Sequence, residues 1–403
     1  MKFVPRDFYE KMRRGKIQVG DVLIVKDGAT TGKVALVTRD FPFHEAVANE
    51  HLFVCRPNSV SSEYLFWFLF SDEGQRRMLE HFKGSAQGGI NQGFASQTLV
   101  PVAPPHMQSA IAKLLSFVQV KRASAHSHMD LARRVTERFR RAVLSAACSG
   151  RLTEDWREVH PDGSADDLLG EVSEGREALV GPRAKPPSPI ASHDLPSLPL
   201  SWRWASVDSL AIRVVDGVHK TPIYRDSGVP FVTVRNLTAG PELSLDGARL
   251  ISEEDHARFC MRAKPEEGDL LISKDGTIGV TRAVRTDQPF SIFVSVALVK
   301  PVFQAMTDYL ELAFSSSQVQ AQMIGVGSGL PHLVLRDLKA DGIPFPPREE
   351  QTEIVRRASI LLAEADRLAG SIDRASRQLE RTRSATLAKA FSGQLLTDAN
   401  VPE

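Results

Sequence analysis

The chain is poor in cysteine, in net charge and in long apolar runs, and each shortage closes off a class of function. Three cysteines, Cys55, Cys148 and Cys260, stand at unrelated spacings among 403 residues. That leaves no disulfide framework and no paired zinc-ligand spacing, and it suits a reducing compartment, so the cytoplasm is the expected location. A net charge of +1 withholds the strongly basic signature common in nucleic-acid-binding domains. Locally the balance is less even: between Glu154 and Asp194 ten acids face four bases, which offsets a basic excess elsewhere, most of it just before that stretch. The most apolar run, Tyr64 to Phe70, is too short to cross a bilayer, and Met1 to Asp7 has no apolar core of a signal peptide, so no membrane role is expected.

Catalytic signatures are also missing. Ala103-Pro104-Pro105-His106 and Phe345-Pro346-Pro347-Arg348 lack the amide or carboxylate with which amino-methyltransferases hold a flipped base. Gly28-Ala29-Thr30-Thr31-Gly32-Lys33 has three residues between its glycines and Val34 after the lysine, where a phosphate-binding loop needs four and a Ser or Thr. A tight turn between strands, signalled by Asp27-Gly28, is the better reading. No nucleophile elbow or metal-ligand spacing stands out, and His126 and His128 read as a solvated helix face.

What is present is a duplication. Pro101, Pro104, Gln108, Leu144, Ala147, Ser149, Gly150 and Leu152 recur 243 positions later as Pro344, Pro347, Gln351, Leu387, Ala390, Ser392, Gly393 and Leu395. Upstream, Gly20-Asp21-Val22-Leu23-Ile24-Val25-Lys26-Asp27-Gly28 matches Gly268-Asp269-Leu270-Leu271-Ile272-Ser273-Lys274-Asp275-Gly276 at an offset of 248. A repeat this long is a domain with an appended helix, not a solenoid unit. Two copies of a binding module suggest a ligand with two similar parts.

Five regions follow. Residues 1 to 104 read as a mixed strand-and-turn domain, 105 to 150 as a helix, 151 to 197 as an acidic and then proline-rich linker carrying one short helix, 198 to 346 as a second copy of the domain, and 347 to 403 as a second helix and tail. The helices carry heptad seams, Ile111, Leu115, Val118, Ala125, Met129, Ala132, Phe139 and Val143 in one and Ile354, Ala358, Leu361, Ala365, Leu368, Ile372, Ala375 and Leu379 in the other, with Arg122 and Thr136 as exceptions. About 43 residues make each roughly 65 Å long. A stripe of that length needs a partner, and the repeat supplies one. Antiparallel pairing then predicts a domain at either end of a rod.

Polar residues on the turns are candidate ligand contacts: Lys26, Thr30 and Lys33 in the first domain, with Gln87 and Asn91, and Lys274 and Thr277 in the second. The loop Gly217-Val218-His219-Lys220-Thr221-Pro222-Ile223-Tyr224 adds Lys220, Thr221 and Tyr224. The segment Gly228 to Asn236 reads as a strand ending in Arg235 and Asn236, residue types that bridge guanine and adenine in the major groove.

In this order these pieces resemble the specificity subunit of a type I restriction-modification system. The resemblance rests on Leu198-Pro199-Leu200-Ser201-Trp202, the Gly-x-His-Lys-Thr-Pro-x-Tyr loop at 217 to 224, Gly-Val-Pro-Phe-Val-x-Val-Arg-Asn, the twofold Gly-Asp-x-Leu-Ile-x-Lys-Asp-Gly turn, and Pro-Phe-Pro-Pro-x-Glu-Glu-Gln at 344 to 351 before a helix that closes on Ser392-Gly393-Gln394-Leu395. It implies an α+β fold of two mixed α/β target-recognition domains joined by a long antiparallel two-helix coiled coil. It further implies a non-catalytic subunit that binds double-stranded DNA with a split recognition site and docks two methyltransferase subunits, which methylate adenine, and restriction/translocase subunits. No cofactor is expected on the chain itself; S-adenosylmethionine, ATP and Mg belong to the partners. Pseudo-twofold symmetry suits half-sites about one helical turn, roughly 34 Å, apart.

One departure stands out. Some seventy residues separate Leu198 from the turn at Gly268 but only nineteen precede Gly20, so an N-terminally truncated first domain is expected, and an inactive remnant is an alternative. A protein-protein scaffold is the other alternative, favoured modestly by the near-neutral charge.

Overall fold

The structure, a computed structural model, describes residues 3–80, 82–83, 88–181, 185–192, 194–323 and 332–396. The chain forms two compact units, Met1–Arg133 with Gly370–Glu403, and Arg134–Ala369. Both long helices, Pro105–Cys148 and Arg348–Phe391, have 44 residues and run through from one unit into the other.

In the first unit, Val22–Val25 is the central strand of an antiparallel sheet between Val34–Leu36 and Leu52–Cys55. Val22 and Ile24 are fully buried while Leu23 and Val25 are not, the period of two expected of a strand covered on one face. The cover is the helix Ser62–Phe70, and its composition explains the apolar run noted above. Leu65, Phe68 and Leu69 pack on the sheet, whereas Tyr64 and Trp67 pack on Ile111, Leu115 and Leu387 of the long helices. A helix buried on two sides is apolar nearly all round.

The second unit holds a four-stranded antiparallel sheet in the order Thr281–Ala283, Leu270–Ser273, Val296–Pro301, Ala211–Asp216. Beside it, Val229–Val232 lies between Ser291–Ile292 and Arg249–Ile251 in a mixed sheet, and Arg203–Ser206 pairs with Gly342–Phe345. Val229–Val232 does not continue to Asn236 as its sequence suggests. The chain turns at Thr233 into a short helix, Val234–Thr238, so Arg235 and Asn236 are helical.

The duplication is visible bond by bond. Asp21 accepts from Arg56 Nε at 2.7 Å and from the amide of Gln18 at 2.8 Å; Asp269 accepts from Lys300 Nζ at 2.6 Å and from the amide of Glu266 at 2.7 Å. The Gln75 amide donates to the carbonyls of Gly32 and Leu69, as Gln320 does to those of Gly279 and Phe314. Tyr64 and Tyr309 donate to the carbonyls of Pro101 and Pro344. Gly28, Gly32, Gly276 and Gly279 all have φ between 69° and 86°, the left-handed region open to glycine, which confirms tight turns where a phosphate loop had been rejected.

The region 151 to 197 is not a linker with one short helix. After a turn of 3-10 helix, Arg151–Thr153, it forms two α-helices, Glu154–Val159 and Ala165–Val180. Ala165, Leu168 and Val172 lie on one face and join the main core of the second unit, and the acids that disguised the segment face outward. Ser164 accepts from the amide of Asp166, and Asp166 and Asp167 complement the positive helix end. The buried Glu350 accepts from Thr153 Oγ1 at 2.6 Å, Arg157 Nη1 at 2.5 Å and Trp202 Nε1 at 2.7 Å, so it ties the second long helix to the start of this segment and to the chain just after it.

The long helices pair antiparallel within each unit. In the first, Ile111 and Leu115 meet Leu387 and Ala390, then Arg122 meets Glu380 and Arg133 meets Asp373 at 3.0 Å. In the second, Arg140 meets Asp366, and Ala147 shares a core with Ile354. The irregular seam position Arg122 is thus paired across the seam, and His126 Nε2 lies 3.1 Å from the same Glu380 carboxylate rather than on a free face. Phe139 and Leu368 were expected in the seam but stay 39% and 47% exposed, since two helices alone shield only one side of each apolar side chain.

Candidate DNA-recognition site

The best-defined concavity that contains sequence-derived candidates is a cleft of about 340 Å³ in the second unit, lined by Tyr224, Thr233, Arg235, Asn236, Asp246 and Arg249 among others. Its floor is Phe231 on the Val229–Val232 strand, fully buried, with Tyr224 edge-on at 6.3 Å between ring centroids. The loop carrying Tyr224 is pinned to the next strand, because the amide of Arg225 donates to the carbonyl of Leu250 at 2.8 Å. On that strand Arg249 lays its guanidinium 4.5 Å from the centre of the Tyr224 ring. Arg235 is exposed on the short helix.

Asn236 lines the cleft but is committed to holding it. Its side-chain oxygen accepts from the amide of Thr233 at 3.0 Å, closing a capping box, and its nitrogen donates to the carbonyl of Ser244 at 3.0 Å. With these two bonds Asn236 braces the Thr233–Ser244 loop from within the cleft lining.

Lys274 is likewise engaged within the fold. It is buried and donates to Asp216 at 2.7 Å. Burial works to raise the Asp216 carboxyl, but hydrogen bonds from Lys274 and Arg262 outweigh it and hold the group below the ordinary carboxylate range. His219 Nε2 lies 3.7 Å from the same carboxylate, so the loop of Lys220 and Thr221 starts at this cluster; Lys220, Thr221 and Thr277 are exposed. Tyr224 and Arg235 therefore share the cleft, while Lys220, Thr221 and Thr277 lie outside its lining.

In the first unit Lys26, Thr30 and Lys33 sit on one turn. Lys26 is 3.8 Å from Asp27, whose other oxygen meets His51 Nδ1 at 2.5 Å. The carbonyl of Lys26 accepts from the amide of Ile90 at 2.8 Å, which brings the exposed Asn91 alongside. Asn91 turns its own side-chain oxygen to the amide of Gly93 at 2.8 Å. Gln87 lies outside the described residues.

Residues 219–370 match the type I restriction modification DNA specificity domain, a span that contains the whole cleft. The EcoKI specificity subunit of Escherichia coli strain K12 is 23% identical over 403 residues, covering 98% of this chain and 78% of that one. The EcoBI specificity subunit of Escherichia coli is 27% identical over 301 residues, 74% of this chain and 58% of that one. The chain is thus similar to type I specificity subunits along nearly its whole length. Two solved structures share its fold at 19% identity each. One comes from work on complex assembly and conformational transition of the type I R-M system, with a TM-score of 0.66 over 94% of this chain and 83% of that chain; the other is the HsdS subunit of Thermoanaerobacter tengcongensis, with a TM-score of 0.52 over 95% and 84%.

Within this cleft, sequence reasoning missed Arg249. Its neighbours Ala248 and Leu250 form no motif, and only the pairing of its strand with Val229–Val232 carries it to Tyr224. Among the described residues no cluster of three or more His, Cys, Asp or Glu is placed to hold a metal ion, and no helix is long and apolar enough to cross a membrane.

Proposed function

We propose that this chain is the sequence-reading, non-catalytic subunit of a type I restriction-modification complex working in the cytoplasm. In this reading each of its two related units reads one half of a split site on double-stranded DNA, and the paired helices hold the units and dock two methyltransferase subunits, with restriction/translocase subunits added. S-adenosylmethionine, ATP and Mg are then the partners' cofactors. The observation that carries the reading is the cleft of Tyr224, Arg235 and Arg249 in the second unit, beside a framework that the chain builds twice. Two arginines beside an aromatic ring suit major-groove base edges, where Arg pairs bidentately with guanine.

The test is reconstitution of the full chain with methyltransferase subunits encoded beside it, followed by sequencing of methylated adenines. A split motif, together with duplex binding that falls steeply with added salt as phosphate contacts release counterions, is the expected result. Salt-insensitive association and no motif would mark a protein scaffold instead.

A further inference from the structure

We propose that Arg249 is the guanine-reading residue of the second unit and that Tyr224 is its positioning residue. This rests on the DNA-reading role given above and adds to it a base, an atom pair and a support.

Four observations converge. The Arg249 guanidinium lies over the Tyr224 ring at 4.5 Å. A guanidinium held over a ring loses rotamer freedom while its N–H groups stay available to a base edge, and a bidentate contact to guanine O6 and N7 needs just such a steadied fork. Arg249 is exposed and makes no ion pair among the described residues, so no carboxylate competes for those N–H groups, whereas Arg262 and Arg258 are both occupied, by Asp216 and Asp255.

The support is rigid on both sides. Tyr224 is seated against the buried Phe231, and its loop is bonded to the Arg249 strand through Arg225 and Leu250. Opposite, the loop from Thr233 to Ser244 is braced by Asn236. The cleft of about 340 Å³ between these walls stays open at Gly247 and Ala248, where a Cβ at Gly247 would meet nothing within 4 Å. Small residues beside the reader leave room for a base edge.

The experiment uses the full chain reconstituted with its methyltransferase subunits, and reads motif and duplex affinity for wild type, Arg249→Ala, Arg249→Gln and Tyr224→Ala. Arg249→Ala should lower the preference for one guanine, in one half-site only, by about tenfold or more. Arg249→Gln should move that position towards adenine, because a glutamine amide matches adenine N6 and N7. Tyr224→Ala should weaken the same position in the same direction while leaving every other position of the motif intact, a pattern that general loosening of the fold would not produce.

An unchanged motif in Arg249→Ala overturns the assignment. So does a uniform loss of affinity across all sequences with thermal stability retained, which would make Arg249 a phosphate anchor. If Arg249→Ala fails to fold, Arg249→Gln decides: the wild-type guanine retained there also overturns it. A wild-type complex without any motif would instead defeat the parent reading, so the two failures are separable.

Discussion

Asp216 and Lys274 form a buried ion pair at 2.7 Å, and it holds the start of the His219–Tyr224 loop to the end of Leu270–Ser273, an inner strand of the main sheet. A buried charge without its partner is expensive. Lys274→Ala leaves Asp216 with Arg262 as its remaining partner and should cost about 1–3 kcal/mol of stability, measured as a drop in the urea midpoint of the second unit. A cost below about 1 kcal/mol would mean that solvent reaches Asp216. The same pair predicts acid sensitivity: Asp216 titrates below its ordinary value in the folded state, so its stabilisation is present above the unfolded carboxyl range and is lost as pH falls through the lower folded value.

Asn236→Ala should destabilise by about 1–2 kcal/mol through loss of the capping box and of the bond to Ser244. Amide hydrogen exchange should rise across 233–244 before the rest of the unit opens. Faster exchange everywhere at once would show that Asn236 does not act locally.

Glu350→Ala should cost about 3–5 kcal/mol, since it leaves the Trp202 indole without its acceptor and Arg157 without its carboxylate, with only Thr153 Oγ1 still accepting from it. The fluorescence of Trp202 should move to the red as its packing loosens. Glu350→Gln, which keeps one acceptor, should retain more stability than Glu350→Ala; equal values would argue that packing rather than hydrogen bonding matters there.

Asp341 sets a second pH dependence of opposite sign. Burial, with a contribution from Asp337, pushes its carboxyl from 3.8 up to about 7, and its Oδ2 has no hydrogen-bond partner among the described residues. The folded state thus binds the proton more tightly, and the stability this group lends is full below its unfolded value and fades as pH rises from about 4 through about 7. Asp341→Asn should match wild type near pH 4 and exceed it by on the order of 2–4 kcal/mol at pH 8. Thermal melts across that range check it, and a constant difference between the two proteins would count against it.

Patterns with a period were legible in the sequence. The duplication, the two long helices and their antiparallel pairing, and the Gly28 and Gly276 turns follow from spacing alone. The helix Ala165–Val180 was hidden because its apolar stripe, Ala165, Leu168 and Val172, is narrow and set among acids and beside a proline cluster. Residue type did not reveal that Asn236 and Lys274 are bonded within the fold, since a polar side chain next to a turn reads the same whether or not the turn itself takes its hydrogen bonds. Arg249 was invisible because strand pairing, not sequence proximity, brings it to Tyr224.

The clamps that recur in both units, Asp21 with Arg56 and Asp269 with Lys300, keep the acid and exchange the base. Their surroundings are free to differ: Gly276-Thr277-Ile278-Gly279 replaces Gly28-Ala29-Thr30-Thr31-Gly32 without disturbing the bonds beneath. Such a chassis separates what must stay for folding from what is open to revision, so turns of different length and composition are exchangeable on it without loss of the sheet beneath.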